Sequence, residues 1–258
     1  MRRPKKLERR NFRKGIYILP NIFTSLNIFC GFYSVISSID GKYFHAAIAI
    51  LLAVLFDILD GKIARATNTT SRFGVEYDSL ADLISFGLAP GLMMYLWALK
   101  PLGKFGWLVA FLFMACGALR LARFNTMVGT ISSEYFTGLP IPAGAGMIAT
   151  AFLFCHRINF EDNISPLLIF IMVFILSILM VSTVKYYSFK NAELFKRMKF
   201  EFLVIAILIL VSIAAFPQIA LFLLCFSYVL SGPIFIGIMK KKSANSPDEP
   251  EKNNSASI

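Results

Sequence analysis

The chain has 258 residues, 57% of them apolar and only 16% charged, where soluble domains carry roughly 25% charged residues. Apolar runs long enough to cross a hydrocarbon core of roughly 30 Å recur along nearly the whole chain, which excludes a soluble domain, and the short alternating segments of an outer-membrane barrel are missing. The net charge of +11 sits in short loops and tails between those runs, so it reads as a topology signal and as attraction for anionic headgroups or phosphorylated substrates, with no nucleic acid expected as partner.

Residues 1–15 form a basic N-terminal segment placed in the cytoplasm. No small-residue cleavage site follows the first apolar run, so an uncleaved first span is expected rather than a signal peptide. Residues 16–240 are expected to fold as one all-α transmembrane catalytic domain, a polytopic helical bundle of about eight spans. The spans fall at roughly 19–39, 44–64, 80–98, 105–124, 139–156, 165–184, 202–216 and 218–239. Pro217 marks a turn or a kink, which leaves a seven-span alternative with 202–239 as one broken unit. Residues 241–258 are polar and proline-containing and are expected to be a disordered cytoplasmic tail.

With the N-terminus inside, the cytoplasmic segments receive Lys62, Arg65, Arg72, Arg120, Arg123, Lys185 and the run Lys240 to Lys242. The outer segments receive only Lys42, Lys100, Lys104 and Arg157, a bias that puts both termini in the cytoplasm of a cell (inner) membrane protein. Cys30, Cys116, Cys155 and Cys225 lie in or near separate apolar spans and are expected to be free thiols. His45 and His156 fall near outer span ends and read as interfacial residues.

The costly residues are four carboxylates. Asp57 and Asp60 lie near the cytoplasmic end of the second span, and Asp78 and Asp82 at the start of the third. Spacings of i,i+3 and i,i+4 put each pair on one helix face, and the short intervening loop makes the two helices antiparallel neighbours. Four such charges repel unless cations neutralise them. Hard divalent ions such as Mg²⁺ or Mn²⁺ suit carboxylate oxygens, and two ions about 4 Å apart suit phosphoryl transfer. The segment offers no histidine or thiolate, which argues against zinc. Gly61 and Ala64 leave room for a bulky ligand, Gly74 does so or supplies a special loop conformation, and Arg65 is either a phosphate ligand or a topology charge. Capping explains Asp78 but not Asp57 inside an apolar run, so metal-dependent catalysis and a transporter's ion pathway both remain open on spacing alone.

The pattern Asp57-x2-Asp60-Gly61-x2-Ala64-Arg65-x8-Gly74-x3-Asp78-x3-Asp82 resembles the signature of the CDP-alcohol phosphatidyltransferase family, with every position filled. Around it, LPNIFTSLNIFCGF at 19–32 with Asn21, Thr24 and Asn27, ALRLARFN at 118–125, YFTGLPIPAGAG at 135–146, LMVSTVKYYSFK at 179–190 and YVLSGP at 228–233 resemble the serine-using members. The resemblance implies transfer of the phosphatidyl group of CDP-diacylglycerol to L-serine, releasing CMP and giving phosphatidylserine, by a homodimer embedded among membrane lipids with its active site facing the cytoplasm. It implies that Asp57, Asp60, Asp78 and Asp82 hold two Mg²⁺ or Mn²⁺ ions, that Asp82 is the general base, and that Gly61, Ala64 and the Asn21/Thr24 region form the CDP pocket. Arg120 and Arg123 are either topology charges or ligands for serine carboxylate or substrate phosphate, joined by Asn125, and Lys185 carries the same ambiguity. Glycerol 3-phosphate or inositol phosphate remains the alternative acceptor, and a transporter the remote one.

Overall fold

The structure is a computed structural model that describes residues 5–67, 71–127, 135–161, 163–187 and 200–244. The expectation of a disordered tail falls almost entirely outside these residues. Helix α1 (Lys5–Ile39) begins inside the basic N-terminal segment and runs unbroken through the first apolar stretch. A tight turn with Gly41 at φ +74° reverses the chain into α2 (Tyr43–Thr67). The buried face of α2 carries Ala46, Ala47, Ala49 and Ala53, small residues that let α1 and other helices pack closely.

The third helical stretch is not uniform. Ser71 caps it by accepting the Gly74 backbone N–H at 3.0 Å. Helix α3 (Arg72–Asp82) passes into a π-helical stretch at Leu83–Leu88, then α4 (Ala89–Met94), a second π-helical stretch at Tyr95–Leu99 and a 3₁₀ turn at Lys100–Leu102. The first π stretch starts directly after Asp82, the kind of place where such bulges gather at functional sites. It crosses α1 at Gly31, where an added Cβ would lie 2.7 Å from Ser85 Cα. Glycine is therefore the residue that allows this crossing.

Helix α5 (Lys104–Met127) follows, and then α6 (Ile141–Arg157), α7 (Pro166–Val181), α8 (Phe200–Ala215) and α9 (Pro217–Ala244). The break at Phe216 makes the last two separate helices. Strands β1 (Tyr135–Thr137) and β2 (Lys185–Tyr187) pair antiparallel with Phe136 opposite Tyr186, a small ribbon that the all-α expectation did not contain. Gly138 closes β1 at φ +81°, donating its N–H to the Val184 carbonyl at 2.8 Å, with the Met180 carbonyl where a Cβ would stand. Phe86, Met94, Phe113, Ile148 and Leu176 are among the fully buried side chains at the centre, and the four cysteines are free.

The expected span count is corrected. Four helical stretches among the described residues are long and apolar enough to cross a membrane, Leu19–Ile39, Arg72–Leu102, Lys104–Thr126 and Pro217–Ile234, rather than about eight. Helices α6, α7 and α8 have 17, 16 and 16 residues, short of the roughly 20 that a perpendicular crossing needs. Helix α2 has 25 residues, but its last turns carry Asp57, Asp60, Lys62 and Arg65.

Candidate functional site

Helices α2 and α3 bring one carboxylate oxygen each of Asp57, Asp60 and Asp78 within 4.8 Å of one another. The i,i+3 spacing on α2 sets two of them on one face, and the antiparallel return of α3 supplies the third. Among the described residues the ion pairs are Lys42–Asp40 and His156–Glu161, so none of these carboxylates is neutralised by a salt bridge. Asp78 Oδ1 is buried without a hydrogen-bond partner. A group of hard oxygen donors with one orphaned buried oxygen fits a divalent cation on the chemistry of the donor set.

Helix α1 orients the carboxylates. The Thr24 hydroxyl lies 3.0 Å from Asp60 Oδ2 and 3.2 Å from the Pro20 carbonyl. It has one proton, and the carboxylate is the nearer and stronger acceptor. Asn27 is fully buried and donates Nδ2 to Asp82 Oδ1 at 3.3 Å. The opposite amide orientation would turn oxygen against oxygen. Ser85 Oγ donates to the Asn27 backbone carbonyl at 2.9 Å, which fixes this segment of α1 against the π stretch. Farther out, Ser25 and Tyr77 hydroxyls meet at 2.9 Å.

Asp82 stands outside the group of three. It is one helical turn beyond Asp78, roughly 6 Å along the axis, but remains within electrostatic reach of the other three aspartates. Asp82 as a residue is 8% exposed.

A cavity of about 200 Å³ opens beside Asp60 and Asp78. Asn21, Thr24, Gly61, Ala64, Arg65 and Gly74, six of the sequence-predicted substrate residues, all line it. A Cβ added at Gly61 would meet only Arg65 Nη2 at 3.8 Å, so the glycine leaves open space. At Gly74 a Cβ would press on Ser71 Oγ at 3.2 Å and approach Asn21 Oδ1 at 3.5 Å. Sequence reasoning missed Ser71, which caps α3 and also lines the cavity; its signal is a serine three residues before Gly74 at a helix start. The side chains of Thr24 and Asn27, both expected as substrate residues, also bond site carboxylates, a role sequence reasoning did not give them.

The residues predicted outside the signature separate into different surroundings. Arg120 is buried, with Nε lacking a hydrogen-bond partner, and lies within electrostatic reach of Asp82 and Tyr228. Arg123 instead donates Nη2 to the Val181 and Ser182 carbonyls at 3.0 and 3.3 Å, capping the C-terminus of α7. Asn125 donates to Ser79 Oγ at 2.9 Å, linking α5 to α3. The backbone of Lys185 pairs with Thr137 in the ribbon, and its side chain lies outside what the structure describes.

Comparison with known proteins adds an independent line. Residues 17–176 match the model of the CDP-alcohol phosphatidyltransferase family. A CDP-diacylglycerol–serine O-phosphatidyltransferase of Helicobacter pylori is 36% identical over 208 residues, covering 81% of this chain and 87% of the relative. An archaetidylserine synthase of Methanothermobacter thermautotrophicus is 42% identical over 170 residues, 65% of this chain and 69% of its own. A CDP-diacylglycerol–serine O-phosphatidyltransferase of Methanocaldococcus jannaschii is 35% identical over 221 residues, 86% of this chain and 95% of its own.

Proposed function

The chain belongs to the CDP-alcohol phosphatidyltransferase family, and from that premise we propose that it transfers the phosphatidyl group of CDP-diacylglycerol to L-serine, giving phosphatidylserine and CMP. The observation that carries the chemistry is the convergence of Asp57, Asp60 and Asp78 beside a cavity whose walls leave room at Gly61. Serine as acceptor is supported by its place in the names of all three relatives.

Asp57, Asp60 and Asp78, with Asp82 at the inner edge, would hold two Mg²⁺ or Mn²⁺ ions. Such ions, when bound, offset the pyrophosphate charge and polarise the phosphorus that bears the lipid. Thr24 holds Asp60 Oδ2 and so sets the orientation of the carboxylate toward the ions. Gly61 and Ala64 give the cytidine moiety its clearance, and Arg65, on the cavity wall and within electrostatic reach of Asp57, takes up phosphate charge.

Serine's hydroxyl is a weak nucleophile near neutral pH. Asn27 occupies Asp82 Oδ1, so Oδ2 is the oxygen that removes the hydroxyl proton. The serine oxygen forms a bond to the lipid-bearing phosphorus as the bond from that phosphorus to the CMP oxygen breaks. Arg120, with an unsatisfied Nε near Asp82, receives the serine carboxylate. Water and lipid must both reach the site. The excess of Lys and Arg in the segments flanking the aspartates supports a site at the cytoplasmic edge of a cell membrane with both termini on that side, and the family resemblance supports a homodimer.

The test is CMP release from CDP-diacylglycerol by the purified protein with Mg²⁺ or Mn²⁺, offered serine, glycerol 3-phosphate, inositol phosphate or water. Release that depends on serine supports the proposal. Release only with a phosphorylated acceptor moves the protein to another branch of the family, and failure to bind CDP-diacylglycerol overturns the assignment.

A further inference from the structure

The aspartate site uses one end of the α1–α2 hairpin. The other end holds a second, larger chamber of about 620 Å³, lined by Lys42, His45, Trp97, His156 and Glu161 among others. From Tyr43 to Asp60 along α2 is roughly 25 Å at 1.5 Å per residue. The two polar sites are thus separated by about one hydrocarbon thickness. With α2 along the membrane normal, a chamber at that distance would meet the headgroup level of the opposite leaflet.

Next to this chamber an apolar groove of about 330 Å³ lies between α1 and α2, walled by Phe29, Tyr33, Ile48 and Leu52. Phe44 and His45 line both spaces, so the two adjoin at these side chains. A polar chamber joined to an apolar slot along a helix pair has the shape of an amphiphile, with headgroup above and acyl chain below.

The chamber carries both signs of charge. Lys42 is paired with Asp40 at 3.2 Å, but both side chains are largely exposed, so that pair exchanges readily for a bound anion. Glu161 accepts from or shares a proton with His156 Nδ1. Aromatic faces crowd the same space. Trp97 and Phe152 meet edge to face with centroids 4.9 Å apart, and the His156 ring lies between Phe152 at 5.9 Å and Phe44 at 5.2 Å. Lysine suits a phosphate, and a carboxylate beside aromatic faces suits an ammonium.

We infer that the end of the bundle remote from the aspartates binds a membrane phospholipid whose headgroup bears both a phosphate and an ammonium. Its phosphate sits against Lys42, its ammonium against Glu161 and the aromatic faces, and one acyl chain lies in the groove at Ile48. This site is independent of the acceptor used at the aspartates.

Trp97 provides the probe. The chain contains two tryptophans, so Trp107→Phe leaves Trp97 as the sole indole reporter in the full-length protein. In detergent micelles, phosphatidylethanolamine brominated near the top of its acyl chains should quench Trp97 saturably. Lys42→Gln and Glu161→Gln should each raise the half-saturating lipid fraction about fivefold or more, and Ile48→Phe, which narrows the groove, should weaken quenching without touching the headgroup contacts. Thermal melting of each variant establishes that it is folded. Quenching that rises linearly with lipid and is equal in all variants would mean contact with bulk lipid only and would overturn the inference. Equal affinity for brominated phosphatidylglycerol, which lacks the ammonium, would overturn the headgroup assignment.

Discussion

Thr24 of α1 and Asp60 of α2 are joined side chain to side chain at 3.0 Å, and this bond ties the orienting helix to the carboxylate cluster. A hydroxyl in that position fixes the orientation of the Asp60 carboxylate. Thr24→Val keeps the shape and removes the donor. The expected result is a 10- to 100-fold loss of Mg²⁺ or Mn²⁺ affinity or of turnover, the usual cost of removing a partner that orients a ligand. Metal titration of CMP release measures it, and an unchanged half-saturating metal concentration would remove Thr24 from the site.

Three carboxylates within 4.8 Å make the cation-free protein internally repulsive. Asp57→Asn should therefore melt higher than the unsubstituted protein in chelator. It should also lose most of the stabilisation that Mg²⁺ brings, which for one site at a hundred times Kd amounts to about 2.7 kcal/mol. Melting curves with and without Mg²⁺ decide both halves of the prediction.

Asp78→Asn and Asp82→Asn should both abolish CMP release while leaving membrane insertion intact. They should differ in metal response. Asp78 belongs to the close group of three, so its loss should weaken binding of the cation. Asp82 is bonded to Asn27 outside that group, so its loss should lower turnover more than cation affinity. Equal metal affinity in both variants would contradict this division of labour.

Arg120 and Arg123 look alike in sequence and differ in surroundings. Arg123→Ala removes the cap on α7 and should cost about 1 kcal/mol of stability, with KM for the acceptor nearly unchanged. Arg120→Ala should raise KM for serine far more than it lowers the melting temperature, if the buried Nε receives the carboxylate. Parallel kinetics and melting of the two variants would show whether the effects separate in this way.

Gly31→Ala places a methyl 2.7 Å from Ser85 Cα. The helices must separate, at a cost of about 1–3 kcal/mol. Because Ser85 also donates to the Asn27 carbonyl, activity should fall along with stability. A variant with full turnover would show that this crossing can relax without disturbing Asp82.

The aspartate cluster was legible because helical spacing fixes which residues share a face, and a short loop fixes which helices are neighbours. Spacing does not give the distance between helices or the depth of each carboxylate. Asp82 reads from sequence as both a metal ligand and the general base, and its place outside the close group of three is not given by spacing. The roles of Thr24 and Asn27 depend on the α1 crossing, which rests on Gly31 meeting Ser85, a contact spanning 54 positions of the chain that no local pattern announces. Hydropathy marked where the apolar helices lie but overstated how many are long enough to cross. Helices α6 and α7 are apolar yet short, and part of their apolar surface packs on other helices. The β1–β2 ribbon joins residues about 50 positions apart in three-residue strands, too short for periodicity to reveal.

Asn27 has one further consequence. Its backbone is held by Ser85 and its amide holds Asp82, so sliding α1 past the π stretch by a single residue would break both bonds together. This makes α1, the π stretch and Asp82 one fixed chassis. On the α5 side, by contrast, Asn125–Ser79 is a side-chain tether that can be rebuilt without shifting that chassis. A substitution that cuts the Asn125–Ser79 tether would thus leave the bond between Asn27 and Asp82 in place.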